Sequence, residues 1–471
     1  MQPLYRSCYP LDQRCYASYY LTEDILMEHA AMGMARYIQS HFEKGTSVLI
    51  VAGVGNNGAD GIVLARLLQD DYRVKLYLPF GVRSVMAELQ LKRLEALEVE
   101  QVDALEPADL LVDALFGAGL SRELDEKTRR LIVEMEALES FKIACDVPTG
   151  IDMDGNPLPM ALFADVTITM GALKECLYSD MAKEYVGEVI CVDLGVSHAR
   201  YTQGFIPDAY LLESGDLMLP SRQRANTHKG SFGHLAVMVG EKEGAAIMAG
   251  LSGLRFGAGL VTLVGELENP VPMTLMSDAL LPENTTAIAL GMGMSRFEDE
   301  FIDELLEIDL PLLLDAGIFS FERVVEFLEQ GEREIVLTPH PKEFVALWNM
   351  TIDSPLNIAI LQANRFEKVR EFCELFPNVT LLLKGANMII AQNDQLFVNP
   401  LGSSKLSKGG SGDVLSGLIG GLLAQGASSL QAGIQGSLAL THAAMAYGGS
   451  SYAMLPTDLM DEISKLERIS Q

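Results

Sequence analysis

Short, continuous apolar runs punctuate the N-terminal part of the chain at 48–51, 74–78, 110–115, 143–147 and 166–169. Between them lie stretches with helical spacing of apolar positions, notably 22–42, opened by Thr22, and then 84–97 and 123–138. Strands without alternating polar positions are buried on both faces, so this order predicts a parallel sheet covered by helices on either side. After Leu194 the pattern lapses into a polar, turn-rich stretch, PDAYLLESGDLMLPSRQRANTHKGS. It resumes with apolar runs at 235–239, 260–264, 287–290, 311–314, 334–337 and 380–384. We therefore expect two α/β domains, residues 1–212 and 213–471, the first a Rossmann-like parallel or mixed sheet sandwiched by helices.

With 49% hydrophobic and 21% charged residues among 471, the chain has the composition of a folded globular protein. Its formal charge of −29 repels a phosphate backbone or an anionic lipid surface, which argues against nucleic acid and membranes as partners. An anionic ligand must then be caught locally, by backbone amides or a bound cation. Cys8, Cys15, Cys145, Cys176, Cys191 and Cys373 form no C-x-x-C, and no secretion signal or membrane span is apparent. Reduced thiols in the cytoplasm are the expectation. His29, His41, His198, His228, His234 and His442 lack the spacing of zinc ligands.

VLIVAGVGNNGADGIVLARLL reads as strand, glycine-rich turn and helix. Gly53, Gly55 and Gly58 fit G-x-G-x-x-G, whose glycines let backbone N–H groups approach a phosphate at a helix N-terminus. An ordinary dinucleotide fold carries an acidic residue at the end of its second strand, for the ribose hydroxyls; here that strand, RVKLYLPFG, runs into Pro79. Asn56, Asn57 and Asp60 add side-chain oxygens beside the amides, unless they form an Asx-rich turn that only caps the next helix. Asp113 precedes a second glycine turn in LLVDALFGAGLSRE, and Asp146 and Thr149 follow another strand in KIACDVPTGID. Loops at the carboxyl ends of strands in an open parallel sheet share one rim, so these oxygens are expected to converge, in a setting that suits a hard cation.

In LSKGGSGDVLSGLIGGLLAQG, Gly409, Gly410, Ser411 and Gly412 precede a helix starting near Asp413. Unpaired amides and the positive helix end make an anion hole for a phosphoryl group in transfer, and Asp413 could take a proton from the attacking hydroxyl. The plain alternative is a glycine-rich helix start with a favourable acidic first turn. G-x-x-x-x-G-K-[ST] is absent, so this is no P-loop.

GVGNNGADG, DALFGAG and DVPTGID, in this order and spacing, resemble the NAD(P)H-hydrate epimerase domain. The resemblance implies that Asn57, Asp113 and Thr149 hold potassium. It implies that Asn56, Asn57, Gly58, Ala59 and Asp60, with Gly117, Ala118, Gly119, Leu120, Ser121, Arg122 and Glu123, contact a hydrated nicotinamide dinucleotide. Asp146 would bind the same substrate and act as the acid/base group interconverting its R and S forms. Ala59 stands where glycine is usual and Thr149 where serine is usual, and threonine keeps the hydroxyl.

THKGSFGHLAVMVG, GAAIMAGLSGLRFGAGLV, LTPHPKEF, LLLKGANMII and GGSGD resemble, in order, the NAD(P)H-hydrate dehydratase domain of the ribokinase-like α/β/α class, over most of 213–471. By that resemblance Lys384, Gly385, Ala386, Asn387 and Met388, with Gly409, Gly410 and Gly412, bind ADP or ATP together with magnesium. Ala246, Gly293, His340 and Asp413 contact the hydrate, Asp413 as base, and Glu343 orients magnesium through water from its place in PHPKE. Ser411 stands where threonine is common. The family so implied repairs NADHX and NADPHX: it epimerises the hydrates, phosphorylates the S form from ADP or ATP, and expels phosphate to restore NAD(P)H. A cytoplasmic homo-oligomer is expected. The alternative is a ribokinase-like small-molecule kinase fused to a nucleotide-binding module. A kinase releases a stable phosphorylated product, whereas a dehydratase releases phosphate.

Overall fold

The apolar runs become the strands of two sheets in the computed structural model, which describes residues 1–331 and 333–467. The chain divides into two units, Pro3–Ala209 and Tyr210–Gln471, the latter including Met1–Gln2. Each has the expected α/β architecture.

In the first unit a seven-stranded sheet runs in the order Glu100–Val102, Arg73–Tyr77, Ser47–Ala52, Leu110–Ala114, Phe141–Cys145, Val166–Met170, Glu188–Val192, with every pairing parallel. Its strands alternate between two cores. Val48, Ile50, Ala52, Leu110, Val112 and Ala114 pack on the side of the helices Glu23–His41, Asn56–Leu68 and Val85–Glu95. Leu49, Val51 and Leu111 face the helix Glu126–Glu136 on the other side. Strand order reverses at Ser47–Ala52, where the chain moves outward first to one side and then to the other, and such a point opens a crevice at the carboxyl ends of the central strands.

Helix limits follow local capping more closely than apolar periodicity. Thr22 precedes Glu23–His41 in extended conformation, and the Ser84 hydroxyl accepts from the Ala87 N–H at 3.0 Å to start Val85–Glu95. The helix expected from 123 begins instead at Glu126, because Asp125 accepts the Thr128 N–H at 2.8 Å. The sequence reading passed over the strand Gln2–Tyr5 and the helix Tyr9–Tyr19, whose apolar pattern is weak.

The second unit is built on the order Met276–Asp278, Leu260–Val264, His234–Met238, Ala287–Leu290, Leu312–Leu314, Ile335–Leu337, Val379–Leu383, Met388–Gln392, Gln395–Asn399. It is parallel up to Val379–Leu383 and antiparallel in the two following pairings. The antiparallel hairpin was not foreseen. Its two-residue turn rests on Asn393 at φ +54°, a conformation asparagine tolerates, and its apolar strand reads on from the preceding run.

The glycines of the second motif have a packing role as well as an anion-binding one. The helices Glu243–Arg255 and Ser411–Ala424 lie so close that a Cβ at Gly417 would stand 2.1 Å from the Ala249 carbonyl oxygen. A Cβ at Gly421 would meet the Gly253 backbone at 3.0 Å. Backbone cannot retreat as a flexible side chain can, so Gly417→Ala is expected to cost roughly 1–3 kcal/mol through overpacking. Urea denaturation of the full chain, compared with wild type, measures it.

Candidate active sites

In the first unit three neighbouring strands end at one rim, which brings the three motifs together. The tight turn after Ser47–Ala52 needs glycine for close approach, since a Cβ on Gly53 would lie 1.9 Å from the Leu115 carbonyl oxygen and one on Gly58 1.9 Å from that of Gly53. A Cβ on Gly117 would sit 3.2 Å from both Asn57 Oδ1 and Asp146 Oδ2, so these oxygens flank one point above the second glycine turn. Around that point opens a cavity of about 680 Å³, lined by Gly55, Asn56, Asn57, Asp60, 115–122, Asp146 and Lys174.

Asn56, Asn57 and Asp60 do not spend their side chains on capping. Asn56 Nδ2 donates to Glu23 Oε1 at 2.5 Å, while Asn57 Nδ2 and Asp60 Oδ1 are buried without a hydrogen-bond partner. Buried polar atoms left unpaired beside a cavity mark a place for a ligand. Burial, reinforced by Asp146, Asp12 and Glu23, pushes the Asp60 carboxyl well above the usual range. Gly58 and Ala59 fall outside the cavity lining, Ala59 in the core under the helix, and Glu123 is exposed outside it. The expected contact set therefore narrows to one face of this helix, which turns every second or third side chain away from the rim.

Asp146 has φ +70°, unusual for a residue with a Cβ, and this turns its carboxylate back into the cavity. Its Oδ1 accepts from Lys174 Nζ at 2.6 Å and from Thr169 Oγ1 at 3.2 Å. Lys174 also donates to Thr169 Oγ1 at 2.8 Å, and only 6% of its side chain is exposed. Burial works against the ammonium charge, yet the Asp146 carboxylate outweighs it and holds the Lys174 pKa above its ordinary value. Asp146 thus has a fixed counter-ion in Lys174. Sequence reasoning missed Lys174, which lies outside every motif. It also missed the segment from Arg6 to Tyr16, which lines the cavity from the N-terminal side.

Asp113 occupies the sheet position that follows Leu111 on the same face, fully buried. Its Oδ1 accepts from Thr149 Oγ1 at 2.6 Å and from the Leu115 N–H at 3.2 Å, and its Oδ2 from the Thr149 N–H at 2.7 Å. The Thr149 hydroxyl in turn accepts the Phe116 N–H at 3.1 Å. Burial pushes the Asp113 carboxyl up to about 6, with the Thr149 hydrogen bonds opposing the rise. Among the described residues no basic side chain pairs with it.

In the second unit the glycine-rich segment 409–412 leads into the helix Ser411–Ala424. Gly410 caps the helix Ser411–Ala424 at φ +99°, a left-handed conformation that suits glycine, and a Cβ there would also strike Pro456 at 2.6 Å. The first turn of that helix leaves N–H groups without an intrahelical partner, although that of Ser411 donates to the Lys408 carbonyl at 3.3 Å. Lys384 Nζ stands 3.4 Å from where a Cβ on Gly412 would lie, so an ammonium faces the amide cup. The loop from Lys384 is held from behind by buried Arg365, which donates to the carbonyls of Lys384 at 3.2 Å and Asn387 at 3.3 Å. Burial, then Asp315, push the Asp413 carboxyl up to about 6, against the pull of Lys384.

His340 and Glu343 form a capping box on the helix Pro341–Thr351: the Glu343 N–H donates to His340 Nδ1 at 3.1 Å, and the His340 N–H to Glu343 Oε2 at 2.8 Å. That the ring accepts through Nδ1 puts its proton on Nε2, which lies 3.2 Å from Glu343 Oε1. The Lys384 N–H donates to the Pro339 carbonyl at 3.0 Å and so ties this turn to the loop that Lys384 begins. Gly293, at φ +69°, accepts the Lys242 N–H through its carbonyl at 3.0 Å. Ala246 is fully buried in the core, whereas Ala245 is the residue whose Cβ would meet one on Gly293 at 3.1 Å. Sequence reasoning missed Asp315 and Arg365, which stand in no glycine motif, and Ser416, which stands in one but was given no role.

The described cysteines are all free thiols, and no described helix is long and apolar enough to cross a membrane. Residues 23–176 match the family described as YjeF-related protein N-terminus, and residues 235–465 the family described as NAD(P)H-hydrate dehydratase. The chain is 40% identical to the bifunctional NAD(P)H-hydrate repair enzyme Nnr of Helicobacter pylori, over 99% of its own length and 100% of that protein. It is 34% identical to the enzyme of the same name from Coxiella burnetii, over 95% of each. A solved structure of the ADP/ATP-dependent NAD(P)H-hydrate dehydratase from Bacillus subtilis, co-crystallised with ATP/Mg2+, shares 30% identity, covering 52% of this chain and 92% of that one at a TM-score of 0.46.

Removing one partner of a buried ion pair leaves an uncompensated charge, so Lys174→Met is expected to destabilise the first unit by roughly 3–5 kcal/mol. Adding Asp146→Asn should recover part of that loss. Thermal unfolding of the two single variants and the double variant measures the coupling, and additive losses would contradict it.

Proposed function

The chain belongs to the family of bifunctional NAD(P)H-hydrate repair enzymes, with an epimerase and an ADP/ATP-dependent dehydratase, and on that premise we propose how its residues divide the work. The observation that supports the reading is a repeated pairing: in each unit a carboxyl lies beside groups able to hold an anion or a polar ring.

In the first unit Asp146 is the acid/base group. Paired with Lys174, it takes the proton from the hydroxyl on ring carbon six of the hydrate. That carbon then forms a carbonyl as its bond to the ring nitrogen opens, with the electron pair going to nitrogen. Reclosure on the other face returns the proton and inverts the centre. The dinucleotide lies along Asn56, Asn57, Asp60 and 117–122, where the unpartnered Asn57 Nδ2 and Asp60 Oδ1 await it.

Asp113 fits potassium, being a buried carboxylate without a basic partner among the described residues, beside the Thr149 hydroxyl. Asn57 and Thr149 would complete the oxygen set with it. When bound, the ion would supply a fixed positive charge to a cavity otherwise rich in carboxylates.

In the second unit Asp413 takes the proton of the carbon-six hydroxyl as that oxygen attacks the terminal phosphorus of ADP or ATP, whose bond to the bridging oxygen breaks to release AMP or ADP. Gly409, Gly410 and Gly412, with Lys384, hold the charge in transit, and the loop from Lys384 to Met388 holds the nucleotide. Phosphate then leaves carbon six and a proton leaves the neighbouring ring carbon, which restores the nicotinamide double bond. Glu343, half-buried and pushed above the usual carboxylate range by burial, is placed to orient magnesium through water. Magnesium would neutralise phosphate charge when it arrives with the nucleotide. His340 and Gly293 face the hydrate, with Ala245 or Ala246 beside them.

Two substitutions separate the sites. Asp146→Asn should slow epimerisation by about 10² to 10⁴-fold while the S hydrate is still dehydrated, and Asp413→Asn should do the reverse. Chiral separation of the hydrates, with return of reduced-nicotinamide absorbance, follows both. Loss of both activities in either variant would contradict the division. Asp413 must be ionised to act as base, so its raised pKa places the acid limb of the dehydratase kcat/KM profile near pH 6, with activity lost below it.

A further inference from the structure

Asp315 follows the strand Leu312–Leu314 with only 3% of its side chain exposed, and lies in no motif the established chemistry uses. A carboxylate so far from water has to be satisfied by its surroundings, and this one has two partners on different elements. Its Oδ1 accepts from Lys384 Nζ at 2.7 Å, at the end of the strand Val379–Leu383. Its Oδ2 accepts from Ser416 Oγ at 2.6 Å, one turn into the helix Ser411–Ala424 that carries the amide cup. Ser416 Oγ is also 3.0 Å from the Gly412 carbonyl, so the hydroxyl lies directly behind the cup.

The carboxylate is itself fixed. The Asp315 N–H donates to the Leu290 carbonyl at 3.0 Å, and a Cβ on Gly291 would fall 1.9 Å from the Asp315 carbonyl oxygen. Lysine, by contrast, is a point charge on a flexible four-carbon stem with considerable rotamer entropy to lose. Untethered, its ammonium would sample positions away from the cup. A misplacement of about 1 Å at a reacting centre can cost roughly 10²-fold in rate.

We propose that Asp315 is the positioning residue of the dehydratase: it holds the Lys384 ammonium over the amide cup and, through Ser416, locks the cup's helix to the same carboxylate. The inference rests on the assignment of that cup as the phosphoryl site. The arrangement makes ammonium and amides one rigid anion hole, so charge developing on the phosphoryl oxygens meets donors that need no reorganisation. Asp315 transfers no proton.

The test uses the full-length chain carrying Asp315→Asn, which keeps volume and can still accept from Ser416. Dehydration of the S hydrate is followed with ADP and with ATP across pH 5–9, beside thermal midpoints. The expected result is a kcat lower by about 10²-fold at saturating nucleotide. The acid limb should also move to lower pH, because Asp413 loses the negative charge of Asp315 while Lys384 remains beside it. A folded Asp315→Asn with wild-type kcat and an unmoved limb overturns the proposal. So does recovery by excess magnesium, which would make Asp315 a metal ligand instead. Should Asp315→Asn melt below the assay temperature, Ser416→Ala carries the test: it keeps the ion pair, loses the tether, and should lower kcat about five-fold, the worth of one hydrogen bond. An unchanged kcat in that variant overturns it. Asp413→Asn on the same assay keeps the two ideas apart, since an active Asp413→Asn removes the assigned phosphoryl site, whereas an inactive one leaves only Asp315 in question.

Discussion

Removing a carboxylate from water is costly unless a charge or several hydrogen bonds replace the lost solvent, and both catalytic regions are organised by that requirement. Asp146 meets it with Lys174, and Asp315 meets it with Lys384 and Ser416. Asp113 meets it with neutral donors alone, and its raised pKa is the mark of the incomplete compensation. Asp60 has an oxygen with no partner at all. These four acids form a graded series from full to absent compensation. The fully compensated ones are structural anchors or fixed anions; the others are places where a ligand still has something to supply.

Glycine is the second constraint, and it acts once in the first unit and twice in the second. Gly53 and Gly58 let one turn fold onto its neighbour so that backbone amides reach the rim, and Gly410 does the equivalent by left-handed geometry. Gly417 and Gly421 instead draw two helices together, which fixes the direction in which the helix Ser411–Ala424 points its N-terminus. A helix end is useful as an anion site only when its axis is held, so the packing glycines and the cup glycines serve a single purpose.

Much of this was legible in the sequence, for definite reasons. Continuous apolar runs such as LLVDA and FKIAC can only be parallel strands buried on both faces, and strand order then forces the loops carrying Asn57, Asp113 and Asp146 to one rim. Asp413 was legible because it sits in the first turn of a helix announced by its glycines. Lys174 and Asp315 were not. Lysine is ordinarily a surface residue, so nothing local marks one that is buried. Its partner Asp146 is 28 residues away, and Asp315 is 69 residues from Lys384. Pairs of that kind are properties of the assembled sheet, since adjacent strand ends bring together residues that the chain keeps apart. Between Ala245 and Ala246 the sequence left the choice open, and one residue of helical rotation makes the first partly exposed and the second buried.

The large negative charge of the chain bears on both sites in one way. A protein at −29 gives no long-range attraction to dinucleotides or nucleotides, which are anions themselves. Binding must come from short-range donors, namely main-chain N–H groups, asparagine amides, the buried Lys174, the partly buried Lys384 and the cations that the oxygen-lined positions suit. Each lysine is already committed to an aspartate, so neither presents a free charge to solvent. What each presents is a direction. An ammonium held by a buried carboxylate is a weak attractor at a distance and a well-aimed donor at contact, which favours a correctly placed substrate over any anion that merely arrives. Selectivity then follows from the same buried pairs that hold the strand ends together.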